Sequence, residues 1–264
     1  MPIKSSVFQC PICNSNVKES NAVFSQCQSC RAWIRNQPDI KKIDERYKSS
    51  WDFPHNHFQE TGATVQNLAA EYVRHFCYHF NLSHLTGYKI LDFGAGRGEL
   101  TMELLKSGAD VYAFEPYGFD YLNNKSLKVF RHIDDIGYHN DFDIIFNIDV
   151  IEHVMNAIET LSKMKMHLRP GGWLYTATPN SGGLNALIAR SRWREAQNPG
   201  HLCLFSNASL ELALAKSGFL NVQRLKWIIG YSPKVLKKIS NWMLTKMRMD
   251  GELRYLCQKP NEAK

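Results

Sequence analysis

Between Tyr88 and Pro116 the apolar positions change period twice. Ile90, Leu91 and Phe93 form a short run that stops at Gly94, Gly96 and Gly98, and Leu100, Leu104 and Leu105 then recur at helical spacing. Gly108 closes that helix, and Val111, Tyr112, Ala113 and Phe114 make a second apolar run that ends on Glu115. The pattern predicts strand, glycine turn, helix and strand, a βαβ unit with its ligand crevice at the strand ends. Upstream, Val65, Leu68, Ala69, Tyr72 and Phe76 share one helical face, which predicts packing on the core. Downstream, the pattern predicts a short helix over 118–124, a strand over 128–130, a continuous apolar strand over 141–149 and a helix over 157–167. Leu168 to Gly172 reads as the end of that helix. A strand over 173–178, a helix over 208–216 and strands over 220–229 and 251–258 follow. Seven strands alternating with helices give an α/β fold with a Rossmann-like sheet. Between the last two strands, residues 232–249 read as an inserted helix with Val235, Ile239, Trp242 and Met243 on one face.

The first sixty residues obey different rules. Cys10-Pro-Ile-Cys13 and Cys27-Gln-Ser-Cys30 have the spacing of a four-cysteine zinc ribbon, in which two tight knuckles supply a closed tetrahedron of thiolates. Such a shell leaves no open position, so the ion it implies is structural. Asn14 and Arg31 stand where many knuckles carry glycine; Asn tolerates positive φ better than Arg does. The domain reading is therefore a ribbon over 1–37, a linker and N-terminal helical cap over 38–86, and an α/β domain over 87–264. Cysteines in this spacing suit a reducing compartment. No run reaches the length of a membrane helix and the start lacks a leader pattern, so a cytoplasmic location is expected. The chain has a net charge of +7, and the excess is C-terminal: residues 180–264 carry 14 Lys and Arg against 5 Asp and Glu. An anionic acceptor or surface would meet that third of the chain.

Glycine spacing selects the nucleoside ligand. A dinucleotide fingerprint places its third glycine where this chain has Glu99, which weakens that reading. Asp92-x-Gly94-x-Gly96-x-Gly98 followed by Glu115 resembles the class I S-adenosylmethionine-dependent methyltransferases. The run FDIIFNIDVIEHV, then LRPGGWLYTATPN and HLCLFS, is similar to the ubiquinone-biosynthesis O-methyltransferases and to enzymes that methylate sugars and natural products. A ribbon ahead of such a domain resembles sugar methyltransferases of polysaccharide and antibiotic pathways. The resemblance implies S-adenosylmethionine as cofactor, held by Asp92, Gly94, Ala95, Gly96, Gly98, Glu115, Pro116 and Asn147, with Asp134 as the acid for the adenine amine. Glu115 would hold the ribose. It also implies that residues 181–204 contact the acceptor, and that a segment closing over the cofactor would bring Tyr47, His55 and His57 to the site. A solvated loop is the preferred reading for those three.

Asp149, Glu152 and His153 lie at i, i+3 and i+4, which unites them if the helix begins by Asp149. His153 is the first candidate for the general base that strips a proton from the acceptor, beside Glu152, and His201 is the second. The E-x-x-E-H motif of the ubiquinone family points instead to a divalent ion on Asp149, Glu152 and His153. Arg190 and Arg194, four apart, would share a helical face and fork onto one phosphate of a phosphorylated or nucleotide-linked sugar. Three functions compete: methylation of a hydroxyl on a small molecule or sugar, RNA methylation with the ribbon gripping nucleic acid, and cofactor binding without catalysis. The first 60 residues carry 8 Lys and Arg against 6 Asp and Glu, a poor footprint for RNA, so the first reading leads.

Overall fold

A computed structural model describes residues 6–50, 62–137, 141–226 and 243–261 of the chain. The amino end is two small hairpins. Strands β1 (Val7–Gln9) and β2 (Asn16–Lys18) pair antiparallel, as do β3 (Phe24–Gln26) and β4 (Trp33–Arg35). Each hairpin turn carries one cysteine pair, and the turn closes when Asn14 donates to the Cys10 carbonyl and Arg31 to that of Cys27, both at 2.9 Å. Both closing residues adopt left-handed backbone, φ 62° at Asn14 and 66° at Arg31. The second knuckle thus makes the same turn as the first and carries the Cβ strain that arginine brings there. Sulfur separations of 3.6 Å for Cys10–Cys30 and 3.5 Å for Cys13–Cys27 lie close to the roughly 3.8 Å edge of a tetrahedron with 2.3 Å arms. The four cysteines therefore fit a zinc ion.

Helix α1 (Ile40–Ser50) follows and buries none of its side chains. Helix α2 (Gly62–His79) then packs Ala69, Tyr72, Val73 and Phe76 inward. Next comes the main sheet. Its strands are β5 (Lys89–Phe93), β6 (Asp110–Phe114), β7 (Val129–Phe130), β8 (Phe142–Ile148), β9 (Leu168–Pro179), β11 (Leu220–Arg224) and β12 (Glu252–Gln258). Their order is β11-β12-β9-β8-β5-β6-β7, parallel except for β12, which runs against both neighbours. The direction of winding reverses between β5 and β8, and that switch point opens the crevice in which a sheet of this kind takes its ligand. β8 is buried on both faces at Ile144, Ile145 and Phe146, as the unbroken apolar run requires. β9 starts at Leu168, earlier than the apolar pattern suggests, because Leu168 pairs with Phe142 across a register irregularity before Trp173 pairs with Ile144. The predicted face of the inserted helix falls at Val235, Ile239 and Trp242, outside the described residues; residues 243–246 are helical and Met243 is exposed.

Helices cover both sheet faces. α2 and α3 (Glu99–Lys106) meet one face through Phe76 and Leu104 against Ile144 and Phe146. On the other face, α5 (Ala157–His167) and α8 (Asn207–Lys216) bring Leu161, Met164, Leu210 and Leu214; the short helix α4 (Phe119–Asn123) lies between β6 and β7. Ile12, Val17 and Ile34 of the hairpins belong to that same second cluster. The two-residue strand β10 (Cys203–Leu204) pairs with β4 and so completes a three-stranded ribbon sheet from the far end of the chain. The ribbon is thus walled into the α/β core. Ile12→Ala should destabilise the whole chain by about 2–5 kcal/mol in a single cooperative transition, checked by denaturant unfolding followed at both far-ultraviolet and tryptophan signals. Elemental analysis of protein purified without chelator should give one zinc per chain.

Candidate active site

The glycine turn is locked by one carboxylate. Glu115, buried at the end of β6, accepts from the amides of Gly96 at 2.9 Å, Tyr117 at 3.0 Å and Gly118 at 3.2 Å. Of roughly four acceptor positions on a carboxylate, three are occupied, which leaves one on Oε2 for a ligand hydroxyl. Gly94, Gly96 and Gly98 all have positive φ, the conformation a side chain resists. A Cβ on Gly94 would come within 2.3 Å of Val150, so the loop after β8 packs directly on the turn. A Cβ on Gly96 would meet nothing within 4 Å and project into the crevice. Asp92, buried beneath, accepts from the Thr101 hydroxyl at 2.6 Å; burial pushes its pKa up to about 7, against that hydrogen bond. Ala95 is buried in the turn and Pro116 is exposed.

Residues 149–156 are turns and bends, since α5 begins at Ala157. The helical spacing of Asp149, Glu152 and His153 therefore does not apply. Asp149 has φ 53° and an exposed surface, so although surrounding protein atoms and the Glu252 and Glu195 charges act to raise its pKa, solvent access limits that rise. Glu152, Oε2, accepts from the Thr178 hydroxyl at 2.8 Å, while its buried Oε1 has no partner. Burial and the charge of Asp149 raise its pKa well above the usual carboxylate range. Ligand atoms of Glu152, His153 and His201 lie within 4.8 Å of one another, and Asp149 is not in that group. The trio that the sequence pattern assembles is replaced by one that the fold assembles.

His153 makes two contacts through Nδ1: 2.9 Å to the Gly200 carbonyl and 2.6 Å to the Tyr47 hydroxyl. A carbonyl only accepts, so the Gly200 contact requires Nδ1–H and leaves Nε2 with its lone pair; this tautomer is assigned from the network. Burial and the nearby His201 lower the pKa of His153 to about 4, so the ring is neutral and able to take a proton at pH 7. His201 is held differently. Its Nδ1 faces the Glu195 carbonyl at 2.8 Å and its Nε2 the Asn198 side-chain amide at 3.1 Å, so both nitrogens are engaged. Tyr47, on α1, also stacks on Tyr117 with centroids 5.2 Å apart, and Tyr117 donates to Asp44 at 3.0 Å. One aromatic ring thus bridges the Glu115 turn and the His153 loop.

Other candidates lie elsewhere. Ile133 and Ile136 pull a 3-10 turn inward, so Asp134 faces outward and lines a cavity with Lys163, His167 and Lys259, at the far end of α5 from the glycine turn. Arg190 and Arg194 do not share a helix: α6 (Leu184–Ala189) ends at Arg190, whose φ is 49°, Trp193 is extended, and α7 (Arg194–Gln197) starts afresh. Both are exposed, and Arg194 pairs with Glu195 at 2.6 Å. His55 and His57 lie outside the described residues. Asn147 is fully buried, accepts from the Thr176 hydroxyl at 3.0 Å, and has an unpartnered Nδ2. Tyr117, Arg35 and the Gly200 carbonyl carry no sequence signal; only the fold brings them here.

The residues fit S-adenosylmethionine: a glycine cradle open at Gly96, an anchored acid with one free acceptor position, and an orphaned amide at Asn147. The fit to a divalent ion is narrower. Glu152 Oε1 lacks a partner, but His201 would have to release a hydrogen bond to serve.

The Methyltransferase domain family matches residues 55–224, well over half of the chain. A ubiquinone biosynthesis O-methyltransferase of Paraburkholderia phymatum is 28% identical over 118 residues, 40% of this chain and 51% of that protein. A tRNA U34 carboxymethyltransferase of Pseudoalteromonas translucida is also 28% identical, over 54% of this chain and 48% of the relative. The chain spans about half the length of these curated relatives. An Archaeoglobus fulgidus structure described as a SAM-dependent methyltransferase superposes with a TM-score of 0.52 at 19% identity, over 72% of this chain and 94% of its own. Among the described residues no helix is long and apolar enough to cross a membrane. With the sheet order, the glycine turn locked by Glu115 and the family match in agreement, the chain belongs to the methyltransferase domain family and carries the class I fold.

Proposed function

We propose that the protein transfers a methyl group from S-adenosylmethionine to a hydroxyl of a small molecule, a sugar among the acceptors. The observation that carries this reading is the bridge made by Tyr47, stacked on Tyr117 beside Glu115 and in contact with His153. It joins the cofactor end of the crevice to a neutral imidazole with a free Nε2. The cofactor supplies an electrophilic methyl on a sulfonium, so the protein's share is to hold the acceptor in line and to take its proton. Asp92, Gly94, Gly96, Gly98 and Glu115 bind the cofactor; His153 accepts the proton at Nε2; Glu152 and Thr178 shape the floor. The depressed pKa of His153 keeps it in base form and favours acceptors whose hydroxyl is itself acidic. A cover such as Tyr47 favours an acceptor small enough to be enclosed. Arg190 and Arg194, separated by the turn, lend no support to a shared phosphate.

Relatives of two kinds make tRNA modification the second reading. Release of S-adenosylhomocysteine from S-adenosylmethionine, measured against phenols, sugars, nucleotide sugars and bulk tRNA, separates the two. Turnover with tRNA alone would overturn the small-molecule proposal. Glu115→Ala removes both the acceptor atom and the lock on the turn, so affinity for S-adenosylhomocysteine should fall by about tenfold or more in titration calorimetry. His153→Ala should lower turnover by about 10²–10⁴-fold with that affinity unchanged, read from the same assay and titration.

A further inference from the structure

The strip of chain that carries Gly200 has no regular structure of its own beyond the two residues of β10, and its two edges bond to different parts of the protein. On one edge, Arg35 of the ribbon reaches three carbonyls: its amide donates to Leu202 at 2.9 Å, Nε to His201 at 2.6 Å and Nη2 to Asn198 at 2.5 Å. On the other edge, the amides of Leu202 and Cys203 donate to the Glu152 carbonyl at 2.7 and 3.1 Å, and the Gly200 carbonyl accepts from His153. The guanidinium lies over the Phe24 ring, 4.6 Å from its centroid, so its plane is fixed from within the ribbon. Ser206 adds a bond from just beyond the strip to the Cys30 carbonyl at 2.9 Å.

We infer that Arg35 is a positioning residue for methyl transfer: by clamping Asn198, His201 and Leu202 it fixes the Gly200 carbonyl, and that carbonyl holds His153 with its proton on Nδ1 and its Nε2 lone pair toward the acceptor. The ribbon then belongs to the machinery of the base rather than to nucleic-acid capture. The inference rests on His153 being the base. Geometry supports the chain of cause, because a second group competes for the same nitrogen. Tyr47 stands 2.6 Å from Nδ1, and were the Gly200 carbonyl to drift, the phenol would donate there, leaving Nε2 protonated and unable to accept. A Cβ on Gly200 would meet the Tyr47 oxygen at 2.2 Å, so little slack separates these groups.

The test uses the full chain with ¹⁵N-labelled histidine, His153 being assigned by its loss in His153→Ala. Wild type should show His153 as a single Nδ1–H tautomer. Arg35→Met, which keeps an aliphatic stem of similar length and removes the guanidinium fork, should give a mixture with the Nε2–H form and speed amide exchange at Leu202 and Cys203 by about tenfold or more. Its affinity for S-adenosylhomocysteine should stay within about twofold of wild type, because the glycine turn is untouched. Arg35→Lys should restore part of the Nδ1–H population, and it carries the comparison if the methionine variant does not fold. An unchanged tautomer and unchanged exchange in Arg35→Met would overturn the inference. Failure of wild type to bind S-adenosylhomocysteine would count against the methyltransferase reading, while the tautomer comparison, run on the free protein, still decides the role of Arg35.

Discussion

Backbone amides and carbonyls that leave regular structure inside a protein must find partners elsewhere, and residues 198–204 satisfy theirs in two directions at once. The Arg35 edge ties them to the ribbon and the Glu152 edge to the loop after β8. Three segments far apart in sequence therefore share one set of hydrogen bonds. The precision of the candidate base depends on this arrangement, because neither the loop after β8 nor the strip is a helix or a long strand. Their rigidity comes from crossing bonds, with the ribbon as the fixed wall behind them.

The cofactor end is built by the opposite strategy. There the parallel strands β5 and β6 deliver Asp92 and Glu115 to the switch point, and a single buried carboxylate fastens the turn to the start of the next segment. Between the two ends lies α1, a helix with no buried side chain of its own whose Tyr47 and Asp44 touch the site. With Ile43, Asp44 and Tyr47 only half-buried, such a helix is a part of the enclosure that can move at low cost.

Much of the sheet could be read from the chain because buried parallel strands leave unbroken apolar runs, as β8 does, and because positive-φ turns call for glycine, as at Gly94 and Gly96. Helix α5 begins and ends where the pattern puts it. Periodicity misled where the chain turns without a glycine to announce it. Positive φ at Asp149 and Arg190 breaks the helical spacing on which the trio of Asp149, Glu152 and His153 and the arginine fork both relied. The resemblance assigns Asp134 to the adenine amine from its place soon after a strand, yet Ile133 and Ile136 decide which way that turn faces. Arg35 is beyond the reach of local pattern because the carbonyls its guanidinium clamps lie 163 and 166 residues away.

That separation sets an order of events during synthesis. The ribbon leaves the ribosome before the strand that completes its sheet, since β10 arrives about 170 residues after β4. At about 5–20 residues per second the gap is roughly ten to thirty seconds. Through that interval Trp33 and Ile34 wait on an open strand edge, with no partner for the face that Leu204 and Trp193 will cover. Closing the knuckles would fold the hairpin early yet leave this edge bare, so pairing with a neighbouring nascent chain competes with β10 until the far end of the domain is made.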